Sequence, residues 1–290
     1  MARKNIFEIL TENENIGTDA ERIDRLFDSE KTIILDAIDY KMRNYVDYFC
    51  FDDWKNKGHC IDLDDFLETI QYDRVFYNAK NGDVNCFLTL IEIIFNFWEM
   101  VNKKIEEENS QVEYYTYFSH LYDIMTECLS KLNHKAVYIE KEEKVLVIED
   151  NPEVTAVAEI MDDNLAYDVI RYNHHSLKGE IELKKAILLK LSNELEPKRK
   201  ELKALNSKLE DDIFYMFNNL NIRHNNRSKK DKNYKEYVAK MKKDRLEKWY
   251  DELYQMILLA FLLLDNKDRA AEVKELRNKV NGGNKKCEQR

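Results

Sequence analysis

The scarcity of glycine and proline constrains this chain most: six Gly and two Pro in 290 residues. Turns with positive φ draw on glycine, and helix breaks draw on proline. A chain poor in both is expected to run in long helices with few tight turns. The length suits one large or two medium domains and is ample for a sizeable core. A hydrophobic share of 44% excludes a disordered chain, and 35% charged residues can solvate the outer faces of many helices. The expected class is mainly α: helical bundles with one small β-hairpin between two halves.

A formal charge of −10 argues against general polyanion binding and suits a soluble cytoplasmic protein. The five cysteines, Cys50, Cys60, Cys86, Cys128 and Cys287, are odd in number and widely spaced. They form neither a disulfide framework nor a zinc signature, so a reducing compartment is the simpler reading. His59-Cys60 comes nearest to a metal pair but lacks a second pair of ligands. Neither a metal nor a small-molecule cofactor is expected. Glycine-rich phosphate loops, G-x-S-x-G, H-E-x-x-H and C-x-x-C are missing from the sequence. The start, Met1 to Asn5, runs straight into the amphipathic Ile6–Leu10, unlike a signal peptide. The longest apolar run, Met256 to Leu264, is nine residues, well short of a membrane span, so no membrane partner is expected.

Along the chain, Thr18 reads as the N-cap of a helix over Asp19–Asp28, and Thr32–Phe51 reads as a second helix. Asp62, Asp64 and Asp65 read as an acidic helix start, since the further ligands of a calcium loop are missing. Phe87–Ile105 and Tyr114–Leu132 carry apolar residues at three- and four-residue steps, with Tyr114, Tyr115 and Tyr117 on a core rim. Ala136–Glu140 and Lys144–Glu149 alternate as strands around the polar Lys141-Glu142-Glu143, a hairpin that should pack on helices. Asn151-Pro152-Glu153 is a cap, a proline at the first turn, then an acid. Helices are expected at Pro152–Met161, Asn164–His175 and Glu180–Leu195, then through Leu202–Leu220, Arg245–Leu264 and Asp265–Val280. Residues 1–135 form one helical domain, 136–150 the hairpin, 151–282 a second bundle and 283–290 a flexible tail.

The stretch from Asn219 to Arg227 is the least ordinary. If the helix from Leu202 continues through it, Arg223 and His224 fall on its apolar side. Asn219, Arg223 and Asn226 then share a ridge. A buried guanidinium needs an acid, a phosphate or a cavity. From Ile222 to Lys248 there are eleven Lys or Arg against four acids, a net +7 in a chain of −10. Such a surface is where an RNA backbone would lie, with Asn219, Arg227, Lys229, Lys230 and Lys232 as binding residues. The other reading is that Arg223 and His224 bond the helix end and that the basic stretch is a solvated face. His174-His175 is a second candidate. Adjacent helical residues point about 100° apart, so only one could join a given site, and a helix C-terminal pair interacting with the dipole is the favoured reading.

Arg223 followed at once by the polar His224, within a C-terminal helical bundle, resembles the HEPN superfamily, particularly the HEPN proteins of bacterial abortive-infection systems. The resemblance covers roughly Pro152–Val280 and makes residues 1–135 an accessory domain. Where the family motif places its own histidine, this chain has Ser228, Lys229 and Lys230. The resemblance implies antiviral defence and metal-independent endoribonuclease chemistry, in which the RNA 2′-hydroxyl attacks the adjacent phosphate. It implies His224 as acid–base group, Arg223 as phosphate clamp, and Asn219 and Asn226 as orienting residues. A homodimer would complete the site. The alternative is a non-catalytic helical module that docks protein partners through its charged ends.

Overall fold

The structure is a computed structural model that describes residues 15–107, 112–114 and 116–287. The expected amphipathic start at Ile6–Leu10 lies outside them, as do Tyr115 and the last three residues. The protein is mainly α, as its composition demands. Two compact units divide it: Met1–Asp150 with His174–Ser176, and Asn151–Asn173 with Leu177–Arg290.

The first unit begins with α1 (Ile16–Asp28), capped by the Asn15 side chain, which accepts from the Thr18 N–H. The helix thus starts before Thr18, the residue expected to cap it. Gly17 makes room for this start: a Cβ there would lie 2.3 Å from the carbonyl oxygen of Lys80. Ala20, Ile23, Leu26 and Phe27 form its buried face. The helix expected over Thr32–Phe51 is a correction. That stretch opens instead as a hairpin, β1 (Lys31–Leu35) and β2 (Ile38–Lys41), followed by the short α2 (Met42–Tyr45). Asp36 and Ala37 both take positive φ, 49° and 63°, the two-residue turn that matches strand twist. The β-branched run Thr32-Ile33-Ile34 then favours strand over helix.

Next come α3 (Leu63–Thr69), N-capped by Asp62, then α4 (Tyr72–Lys80) and α5 (Val84–Glu107). β3 (Val112–Tyr114) pairs with β1, giving the order β2-β1-β3. α6 (Thr116–Lys131) leads into the expected hairpin, β4 (His134–Ile139) and β5 (Lys144–Glu149), with His134 opposite Glu149 and Ile139 opposite Lys144. By length and composition α5 could cross a membrane, yet Leu88, Leu90, Ile91, Ile94, Phe95, Phe97 and Val101 are buried in this unit's core. Two polar side chains of α5 dress the edge of β5. Asn96 exchanges two hydrogen bonds with the backbone of Val145, at 2.9 and 3.0 Å, and Glu92 accepts from the Val147 N–H at 2.6 Å. Farther along, Ile148 bridges to the backbone of His174. Groups that a third strand would satisfy are met by helix side chains and one short segment.

The second unit is a helical bundle. α7 (Pro152–Glu159) starts on the Asn151 cap, and α8 (Asp163–Tyr172) starts on Asp162. α9 (Ile181–Leu195) passes through one tight turn at Pro197 into α10 (Arg199–Leu205). Asn206 breaks the register and caps α11 (Ser207–Asn219). After the single turn α12 (Glu236–Ala239) comes α13 (Lys243–Cys287), 45 residues in one helix where two helices and a tail were expected. Leu246, Tyr250, Leu253, Tyr254, Ile257, Leu258 and Phe261 of α13 supply much of the core. The Tyr254 hydroxyl donates to the Val169 carbonyl at 2.7 Å, and the Tyr250 hydroxyl donates to that of Leu220 at 3.0 Å. Lys184, buried, reaches Glu247 and Asp251, each at 2.8 Å.

Candidate functional site

The stretch singled out in the sequence is a loop, which corrects the expectation that Arg223 and His224 sit on one helical face. α11 stops at Asn219, and Asn221 takes a φ of 62°, turning the chain out of the helix. Asn tolerates this left-handed conformation better than most residues. His224 is consequently exposed, while Arg223 turns back over the bundle. Its Nε and one terminal nitrogen donate to the Oγ and carbonyl of Ser192, at 3.0 and 2.9 Å. Another nitrogen pairs with Glu196, and the guanidinium lies 4.9 Å from the Phe217 ring centre and 5.3 Å from that of Phe214. The acid a buried arginine requires therefore comes from the chain itself.

Asn226, completely buried, holds the loop closed. Its side-chain oxygen accepts from the Asn221 N–H at 2.7 Å, and its amide donates to the Asn233 carbonyl at 2.8 Å. Arg227 reaches the Met241 carbonyl at 3.3 Å, near the start of α13. Asn219 donates to its own helix at Tyr215. Lys229, Lys230 and Lys232 stand exposed. Of the residues expected to act together, Asn226 and Arg227 order the loop and the three lysines decorate it. No hydrogen bond links Arg223 to His224 among the described residues.

Beside the loop is a cavity of about 280 Å³, lined by Tyr215, Met216, Asn219, Leu220, Lys235, Tyr237, Val238, Met241 and Trp249. Tyr215 and Tyr237 are 65% and 73% exposed, well above what a core role requires. Arg245 lies 5.2 Å from the Trp249 ring centre. Three aromatic rings, a lysine and an asparagine thus meet at the most basic stretch of the sequence. The sequence places Trp249 on the apolar face of its helix and assigns no role to Tyr215 or Tyr237, which fall outside the apolar steps. The exposure of Tyr215 and Tyr237 is visible only in the fold.

The first unit holds the second noteworthy cluster. α8 ends at Tyr172, so His174 and His175 do not diverge as helical neighbours would. Their rings lie 4.4 Å apart, which corrects the expectation that only one could join a site. The Ser176 N–H donates to Nδ1 of His174 at 3.2 Å, so the ring proton is on Nε2, which donates to Glu92 at 2.7 Å. Burial, with repulsion from His174, pushes His175 down to about 4 against the pull of Glu92. One ligating atom each of Glu92, His174 and His175 falls within 4.8 Å of the others. Glu92 lies 82 residues from His174, so no local spacing marks it.

No protein family, curated protein or solved structure matches the chain.

Proposed function

We propose that the second unit binds single-stranded RNA along the loop between α11 and α13. The observation that carries this reading is the aromatic cavity of Tyr215, Tyr237 and Trp249 with Lys235 on its wall. Unpaired bases stack on exposed rings with little regard to sequence, while neighbouring lysines neutralise phosphates. Lys229, Lys230, Lys232, Lys242 and Lys243 supply that charge next to it in sequence.

Cleavage of the kind the HEPN resemblance implies would require an arginine facing the scissile phosphate. Arg223 faces Ser192 and Glu196 instead, so binding is what this geometry favours. Defence, a homodimer and proton transfer by the exposed His224 rest on the resemblance alone.

Fluorescence anisotropy with a labelled 20-nucleotide RNA, single- and double-stranded, at several salt concentrations, tests the reading. Wild type should prefer the single strand, and Tyr237→Ala should weaken it by about tenfold. Replacing Lys229, Lys230 and Lys232 together should reduce the salt slope by about 2. Salt-insensitive or undetectable binding would sink the proposal and favour the protein-docking alternative. Cleavage in chelator that vanishes in His224→Ala would add catalysis to binding.

A further inference from the structure

We propose that Glu92, His174 and His175 form a binding site for a divalent transition ion, with zinc the best fit, in the first unit. The chemistry of the donors is the first reason. Two imidazoles and one carboxylate suit borderline ions such as zinc, whereas magnesium and calcium take oxygen ligands almost exclusively.

Geometry is the second. Metal–ligand bonds of about 2.1 Å at a tetrahedral centre place ligand atoms about 3.4 Å apart. Here the carboxylate oxygen of Glu92 is 2.7 Å from Nε2 of His174 and 3.8 Å from Nε2 of His175. The two spacings straddle the required value, and the third, between the two imidazoles, is no more than 4.8 Å.

The third reason is independent of the other two. Nε2 of His175 is buried without any hydrogen-bond partner, in a side chain only 6% exposed, on the side that faces Glu92. A buried polar atom left unpaired is costly, and an ion between the rings and the carboxylate would satisfy it.

The surroundings are already those of an oriented ligand set. Glu92 is fixed by the Val147 N–H and His174 by Ser176, the kind of outer contact that aims metal ligands. As the residues stand, a proton on Nε2 of His174 occupies the line to Glu92. An entering ion takes that place. The proton on Nε2 leaves to solvent, and Nδ1 takes one up to donate to the Ser176 hydroxyl, 2.7 Å away, in place of the bond it accepts from the Ser176 N–H. Three protein ligands leave a fourth position for water or a small ligand. Glu92 also lines a cavity of about 250 Å³ whose wall is mainly apolar, with Trp54, Phe66 and Phe97 beside Asn56, Asn96 and Lys144.

The test is calorimetric titration of the chelator-treated full chain with zinc and cobalt chlorides. One equivalent should bind, and cobalt should develop visible ligand-field absorption. A hundredfold excess over Kd should raise Tm by about 5–10 °C. His174→Ala and Glu92→Gln should each weaken zinc at least about tenfold with an unchanged circular dichroism spectrum, and Glu92→Asp should fall between. The six histidines allow a check that needs no variant. In long-range proton–nitrogen spectra, zinc should shift two imidazoles together. Substoichiometric binding, or affinity untouched by His174→Ala and abolished in a His59→Ala, Cys60→Ser variant, would overturn the proposal.

Discussion

Replacing Arg223 with alanine separates a structural clamp from a catalytic group. Two charge-assisted hydrogen bonds to the fully buried Ser192 contribute roughly 1–1.5 kcal/mol each. The flanking rings of Phe214 and Phe217 add about 0.5–1 kcal/mol apiece. Glu196 is 47% exposed, so solvent screens that pair and it adds at most about 0.5 kcal/mol. These contributions overlap because all act through one side chain, and a total near 3 kcal/mol is expected. Ser192 loses little in return, since its hydroxyl still donates to the Leu189 carbonyl. Urea unfolding followed by circular dichroism should place the Arg223→Ala midpoint about 1.5 M lower, for a slope of about 2 kcal/mol per molar. Arg223→Lys should recover little, because an ammonium cannot reproduce the fork. A double-mutant cycle with Ser192→Ala, which removes the Oγ bond and leaves the carbonyl, should return a coupling of about 1–1.5 kcal/mol. A loss below about 0.5 kcal/mol, or no coupling, would refute the clamp and free Arg223 for chemistry.

Two further outcomes follow from the packing. Gly17→Ala would push a methyl group into the Lys80 carbonyl and should cost about 1–3 kcal/mol, which a thermal melt of the variant would register. Burial would raise Glu247, but the Gly179 N–H and Lys184 outweigh it and hold the carboxylate below its ordinary 4.5. A depressed acid stabilises the fold above its unfolded value. That contribution should therefore be complete above about pH 4.5 and disappear as pH falls further, in wild type but much less in Lys184→Met.

Much of the second unit was legible because its signals are local. Asn151-Pro152-Glu153 announces a helix by itself, α9 and α11 keep their apolar steps throughout, and α13 keeps them as far as Leu264. The β4–β5 hairpin was legible for the same reason, through alternation around a polar turn. The β1–β2 hairpin was not, because Asp36-Ala37 lacks the glycine that usually marks such a turn, and Ile34, Ile38 and Tyr45 also fit a helical face. Asn206 and Asn221 end helices through backbone angles that asparagine permits but does not enforce. The sites were hidden for a different reason. Arg223 requires a partner, which the sequence could say, but that partner is Ser192, 31 residues earlier, with Glu196, on the far side of α10 and α11. Glu92 and the His174-His175 pair meet only because each covers the same edge of β5.

The length of α13 has a consequence for how the molecule breathes. Up to Leu264 its side chains interlock with the bundle, but the described side chains from Asn266 to Asn281 are all exposed, Leu276 and Val280 by 60% and 58%. Its hydrogen-bond ladder is continuous across that boundary, while what holds the ladder closed is not. Amide protons from Leu253 to Leu264 should exchange with deuterium only when the bundle opens. Those beyond Lys267 should exchange as a lone helix does, without disturbing the core.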